Sequence, residues 1–154
     1  MLILLKLFYS RSFSFVLAGT GKTSTLIESV VQILKTRPNS HILISAQSNS
    51  ACDEIGVRLL RSMPKSKIFR FYSPSIGSKF NDEQLKSTSN MRNDKNEYPT
   101  YEELYHFNVV IATLVTSGRL AQMNLKVNHF QYVFIDECAA STEPEAIIPI
   151  FGNF

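Results

Sequence analysis

The most restrictive feature of the chain is the turn Gly19-Thr20-Gly21-Lys22-Thr23, set between the run Phe13 to Leu17 and a stripe of Leu26, Ile27, Val30, Val31 and Leu34. A strand, a glycine-rich turn and a 3.6-period helix in that order point backbone amides at a helix N-terminus. Unpaired N–H groups and the helix dipole there favour an anion. In such a turn Lys22 reaches the β- and γ-phosphates of a nucleotide triphosphate and the Thr23 hydroxyl holds Mg²⁺. Gly19, Thr20, Gly21 and Ser24 complete the nucleotide cradle. The full pattern G-x-x-x-x-G-K-[ST] asks for glycine at position 16, where this chain has Val16, followed by Leu17 and Ala18. A β-branched residue resists the sharp exit from the strand that glycine allows, so weak ATP binding is expected. A chance G-K-T in a loop is the bland alternative.

A second motif decides against chance. Tyr132-Val133-Phe134-Ile135 is an apolar run that ends in two carboxylates, Asp136 and Glu137. Buried parallel strands read as such runs, and ligand-binding residues in open α/β sheets lie just past the strands' carboxyl ends. Asp136 is expected to hold magnesium through its water shell, and Glu137 to orient or deprotonate the attacking water. Lys22 and Glu137 are thus the candidate catalytic residues, and Thr23 and Asp136 the candidate metal ligands.

The remaining elements alternate as a parallel α/β sheet requires. Thr23 to Lys35 is predicted as a helix, stopped by Arg37-Pro38-Asn39, and His41 to Ala46 as the second strand of a β-α-β crossover. The turn Gln47-Ser48-Asn49-Ser50 offers N-caps to a helix from Ala51 to Met63, with Cys52, Ile55, Leu59 and Leu60 facing inward. Lys67 to Tyr72 alternates and suits a strand near the sheet edge with one wetter face. From Ser73 to Glu103 the chain turns polar, and this stretch reads as a solvated surface excursion. Phe107 to Ala112 is the next apolar strand, and Thr113, Thr116 and Ser117 at its carboxyl end carry hydroxyls suited to a sugar-phosphate backbone. Thr142-Glu143-Pro144-Glu145 reads as a capping box for a last helix that Pro149 shortens.

Composition agrees with a folded domain. The 154 residues are 44% hydrophobic and 19% charged, which speaks against disorder and against a membrane protein. A net charge of +3 is compatible with a polyanionic partner without requiring one. The two cysteines, Cys52 and Cys138, lie too far apart for a structural metal site, and a reduced, intracellular setting is the simpler reading. Residues 1–18 form an atypical leader. It imitates a secretory signal, but Lys6 and Arg11 interrupt the apolar run and cleavage after Ala18 would remove the strand that feeds the turn. A Phe- and Leu-rich leader beside an altered motif is also what a translated T-rich intron end would give. Residues 13–154 then form the nucleotide-binding unit, with the polar insertion at about 73–105.

From Gly19 to about Ile150 the chain resembles superfamily 1 helicases related to the nonsense-mediated-decay helicase, and within them the Armitage and Moloney-leukaemia-virus-10 RNA helicases. The resemblance rests on GTGKT, Ser48-Asn49-Ser50, Ile111-Ala112-Thr113 with Thr116-Ser117-Gly118-Arg119-Leu120, and His129-Phe130 before Phe134-Ile135-Asp136-Glu137 and Glu143-Pro144-Glu145. It implies a P-loop NTPase of parallel-sheet α/β class, an incomplete first RecA-like domain, with ATP and Mg²⁺ as cofactors. It also implies that the turns at Ser48, Asn49 and Ser50 and at Thr113, Thr116 and Ser117 touch single-stranded RNA. The family consists of ATP-driven 5′-to-3′ RNA translocases of cytoplasmic granules that act in RNA silencing, including small-RNA-guided transposon control with silencing proteins as partners. No membrane partner is implied.

Three departures qualify the resemblance: Val16-Leu17-Ala18 in place of Gly-Pro-Pro, Gln47 in place of a proline, and Cys138 in place of an alanine. The 154 residues also stop before the Gly-Asp-x-x-Gln motif and the second RecA-like half with its arginines. In the related fold the next strand lies between the two nucleotide-binding strands, so a central gap in the sheet is expected. The alternative readings are a non-catalytic nucleotide- or RNA-binding module and a truncated product without activity.

Overall fold

Every position of the strand Ile42–Ala46 is buried, which demands a paired strand on each side and a packed layer on each face. The computed structural model supplies both. It describes residues 2–6, 12–16, 21–75, 83–92, 95–123, 125–126, 128–137 and 141–151. In chain order the strands are β1 (Leu2–Lys6), β2 (Ser12–Val16), β3 (Ile42–Ala46), β4 (Ile68–Phe71), β5 (Met91–Arg92), β6 (Lys95–Asn96), β7 (Val109–Thr113) and β8 (Tyr132–Ile135). The helices are α1 (Lys22–Thr36), α2 (Asn49–Leu60), α3 (Glu83–Lys86), α4 (Tyr101–Tyr105), α5 (Leu114–Ser117) and α6 (Glu143–Phe151). Short 3₁₀ turns cover Lys65–Lys67 and Gly118–Met123.

The main sheet has six strands in the order β2-β1-β8-β3-β7-β4, and β8, β3, β7 and β4 run parallel. Alternate residues feed two cores. Ile42, Ile44, Val109, Ile111 and Phe134 meet α1 and α2 through Leu26, Val30, Cys52, Ile55 and Leu59. Leu43, Val110, Ala112, Val133 and Ile135 pack on the other side with Leu104, Leu114, Leu120 and Phe130. The result is an α/β sheet with a helical layer on each face.

The expected central gap is filled. β1 lies between β2 and β8 and pairs antiparallel with both, Ile3 standing opposite Phe15 and Ile135. The leader thus satisfies backbone groups of β8 that a gap would orphan, at the cost of one strand running against the parallel set. β2 closely matches the predicted first strand, and Leu17 lies outside the described residues.

Three further expectations are corrected. β4 is an edge strand but has no wet face, since Ile68, Phe69, Arg70 and Phe71 are all buried. The polar stretch that follows is more than a surface excursion. Leu85, Thr88, Ser89, Asn90 and Met91 are buried, Arg70 N–H donates to Thr88 O at 2.7 Å, and the Asn90 amide clasps Tyr72 N–H and C=O at 2.7 and 3.0 Å. A Cβ on Gly56 of α2 would stand 2.9 Å from Leu85 Cδ2, so any other residue there would have to displace the buried Leu85 side chain. Finally, Pro149 lies inside α6 and does not end it. Helix boundaries shift by a few residues: α1 takes in Lys22 and Thr36, and α2 runs from Asn49 to Leu60.

His41 and His129 precede β3 and β8, at the edge opposite the carboxyl ends of the parallel strands. Their rings stack with centroids 4.4 Å apart, beside Tyr105. His41 Nδ1 lies 3.0 Å from Phe107 O, and the buried His129 Nε2 has no partner among the described residues. Burial lowers the His41 pKa, opposed by its backbone hydrogen bond. Burial and then the neighbouring His41 push His129 down to about 4.

Two predictions follow from these arrangements. Leu4→Pro removes an amide from a strand paired on both sides, so the urea midpoint should fall by the equivalent of about 1–3 kcal/mol. Hydrogen exchange at Val133 and Ile135 should quicken; an unchanged midpoint with unchanged protection would show that β1 does not fill the sheet. For the histidines, the unfolded chain takes up protons below about pH 6.5 that the folded chain refuses. Stability should therefore decline from pH 6.5 toward pH 4, by roughly 3 kcal/mol from His129. Urea titrations of the chain and of His129→Phe check this, the variant being expected to show a flatter profile over that window.

Candidate functional site

Parallel strands send all their following turns to one edge, and the candidate residues that follow β3, β7 and β8 lie together there. β8 leads to Asp136, β3 leads to Ser48–Ser50, and β7 ends in Thr113. β2 points the same way as β8, because both are antiparallel to β1. Leu2 pairs with Val16 and Ile3 with Ile135, so the end of β2 is level with Asp136 across a single intervening strand, about 10 Å away.

α1 begins after Gly21, whose φ of 71° is the left-handed conformation that glycine adopts without penalty. Lys22 and Thr23 open the helix and are half-buried, whereas Ser24 is exposed. The first turn of a helix leaves N–H groups unpaired. Side chains cap α2, α4 and α5, through Ser48, Thr100 and Thr113, but among the described residues none caps α1. Gly19 and Thr20, also predicted for the cradle, lie outside the described residues.

Asp136 is buried and closely held: its N–H donates to Ser45 O at 2.8 Å and its Oδ1 accepts from Glu137 N–H at 2.9 Å. The next residue breaks the extended backbone. Glu137 has φ of 57°, a left-handed conformation that is unfavourable for a non-glycine residue by about 1–2 kcal/mol. This kink turns an exposed carboxylate out immediately beyond a buried one. The oxygen donors of Thr23 and Asp136 have the hard character that magnesium prefers, and the uncapped start of α1 has the polarity that phosphate prefers. The residues present therefore fit a nucleotide with its magnesium. Cys138 lies outside the described residues.

The two predicted RNA turns differ in what they expose. Ser48, Asn49 and Ser50 are exposed; Ser48 Oγ accepts from Ala51 N–H at 3.2 Å and so caps α2. At the other turn the hydroxyls look inward. Thr113 Oγ1 donates to Thr116 Oγ1 at 2.7 Å, and Ser117 Oγ donates to Leu114 O at 2.6 Å. Thr116 and Ser117 are buried. Those two residues shape α5 instead of offering hydroxyls to a ligand, a correction to the sequence reading; Thr113 is only half-buried.

Sequence reasoning missed a polar cluster beneath the Ser48–Ser50 turn. Arg70, fully buried, donates to Asp53 Oδ1 at 2.7 Å and to Asn49 Oδ1 at 2.9 Å, and Tyr72 O–H donates to the same Asp53 oxygen at 2.8 Å. Its one signal in the sequence was a charge at the third position of an otherwise apolar strand. Cys52 lies close by, and burial raises its pKa.

A family model described as an AAA domain matches residues 10–104 and 77–153, and defines the class as an ATPase-type α/β domain. Curated relatives narrow this. A putative helicase mov-10-B.1 of Danio rerio is 37% identical over 136 residues, 87% of this chain and 13% of the relative. RNA helicase Mov10l1 of Homo sapiens is 33% identical over 135 residues, 86% of this chain and 11% of the relative. A probable RNA helicase armi of Drosophila melanogaster is 27% identical over 157 residues, 86% of this chain and 13% of the relative. The chain belongs to the superfamily 1 RNA helicase family of the Armitage and Mov10 type. It spans about an eighth of the length of these relatives.

Proposed function

We propose that this chain is part of an ATP-dependent RNA helicase, a 5′-to-3′ translocase on single-stranded RNA acting in RNA silencing or small-RNA-guided transposon control. The observation that carries the reading is the common edge. The end of β2, which leads to α1, the Asp136-Glu137 kink and the Ser48–Ser50 turn all lie at the same edge of one sheet. The helicase names of the relatives support the RNA-dependent activity. Ribonucleoprotein granules of the cytoplasm are the proposed setting.

In this reading Gly19 to Ser24 hold the triphosphate, with Lys22 placing positive charge against its β- and γ-phosphates. Thr23 and Asp136 hold magnesium, which when bound neutralises charge on the phosphates. Glu137 orients the attacking water and takes up its proton. Ser48 to Ser50 and Thr113 contact the RNA backbone. Charge developing on the γ-phosphate needs arginines from a second RecA-like half, a contribution of about 10³ to 10⁵ in rate. Residues 1–154 by themselves should therefore not turn over ATP measurably.

The test is a polypeptide carrying these residues together with that second half and with Gly-Pro-Pro at positions 16–18. It should hydrolyse ATP faster when RNA is added, and Glu137→Gln should abolish hydrolysis while ATP still binds. Turnover that RNA does not stimulate, or that survives Glu137→Gln, would defeat the reading, and robust turnover by residues 1–154 alone would show that the second half's arginines are dispensable.

Val16 favours a second reading, a module that binds nucleotide or RNA without hydrolysis. β2 pairs through Val16, so the strand continues to the point at which glycine would let it turn. Nucleotide titration of the natural chain should show weak affinity, strengthened at least several-fold by Gly-Pro-Pro at 16–18 and lost in Lys22→Ala. Equal affinity in all three chains would remove Lys22 and the turn from the site.

A further inference from the structure

Arg70 is the largest of the fully buried side chains, and it lies on an edge strand where an aliphatic residue would be expected. A guanidinium stays charged and can only donate, so each of its arms needs an acceptor. Nε–H donates to Asp53 Oδ1 at 2.7 Å, one terminal nitrogen donates to Phe71 O at 2.8 Å, and the other donates to Asn49 Oδ1 at 2.9 Å. The Tyr72 ring lies against its carbon, 4.0 Å from centroid to Cζ. Burying this charge carries a desolvation penalty that a well-packed apolar residue would avoid.

What an apolar residue could not do is choose the direction of an amide. The two ends of an asparagine side chain differ only in donor and acceptor character, and the hydrogen-bond network decides which faces where. A donor-only partner beneath Asn49 takes the oxygen, which leaves the Nδ2 donors on the other branch, on an exposed residue of the turn. Ser48 Oγ accepts from Ala51 N–H to cap α2 and lies 3.4 Å from Ser50 Oγ, and both hydroxyls can rotate to donate or accept. Asn49 is thus the side chain in this turn whose outward polarity is set from the core.

We propose that Arg70 is a positioning residue for RNA: it fixes the Asn49 amide with its donor end outward, the polarity that a phosphate or ribose oxygen of single-stranded RNA requires. This rests on the proposed role of the Ser48–Ser50 turn as an RNA contact. Asp53 and Tyr72 hold the guanidinium in place, and Thr88 and Asn90 tie its strand to the following segment. Binding is expected to be indifferent to base sequence and to weaken with salt, because backbone oxygens are the target.

The test is a double-variant cycle on the 154-residue chain, with fluorescein-labelled oligouridylate at low salt read by anisotropy and urea melts run alongside. Asn49→Ala should weaken binding at least three-fold, and Arg70→Gln, whose amide dictates no direction, should weaken it similarly. The double variant should be no weaker than Asn49→Ala alone, since Arg70 acts through Asn49. Arg70→Lys, again a donor-only cation, should recover most of the affinity. Should Arg70→Gln fail to fold, Asn49→Asp decides: it keeps an acceptor for Arg70, so it should melt like the unaltered chain yet bind at least ten-fold more weakly. Additive losses in the double variant, or an Asn49→Asp chain that binds as tightly as the unaltered one, would overturn the proposal alone. No oligouridylate binding by the unaltered chain would overturn the RNA reading of the turn, and this proposal with it.

Discussion

A strand hydrogen-bonded along both sides and covered on both faces has only its ends left to meet a ligand, and β3 is that strand. Its register with β7 and β8 aligns Ala46 with Thr113 and Ser45 with Ile135, so the turns that follow the three strands emerge together. Asp136 is fastened to β3 directly, its N–H on Ser45 O. The position of the buried carboxylate is therefore a property of the central ladder and not of the loop that follows. The same parallel arrangement sends His41 and His129 to the far edge, away from the candidate chemistry.

The two sides of this centre are completed by unlike means. On one side β1 enters antiparallel between β2 and β8, bringing the end of β2, the strand that precedes α1, to the level of Asp136. On the other, β4 would expose an unpaired edge, a template for association with another chain. Here Thr88 accepts the Arg70 amide, and the Asn90 side chain imitates a strand partner for Tyr72. The polar segment after β4 is therefore part of the sheet's edge, and the buried guanidinium links that edge to the exposed turn at Asn49.

Much of this was legible from residue pattern. The Leu26, Ile27, Val30 and Leu34 stripe predicted α1 and its buried face, and the apolar runs ending in Ala46, Ala112 and Ile135 predicted β3, β7 and β8. What escaped was polar and non-local. Arg70 on an alternating stretch suggested a wet face, because a lone charge in a sequence carries no sign of the carboxylate and amide waiting for it on α2. Thr116 and Ser117 looked like ligands because hydroxyls at a strand's end serve equally well to close a turn; only their bonds to Thr113 and Leu114 separate the two uses. Pro149 suggested a helix end because it lacks an amide donor, yet α6 continues through it.

By itself the sequence determined the α/β class, the order of the parallel strands' elements and the acidic and glycine-rich motifs. Those are set by hydrophobic period and by glycine and carboxylate chemistry, which act over a few neighbouring residues. The tertiary structure decided which strand stands between β2 and β8, whether a buried cation has partners, and which way Asn49 and Glu137 face. Those outcomes depend on backbone pairing and hydrogen bonds between residues far apart in the chain, and such pairings have no local signature to read.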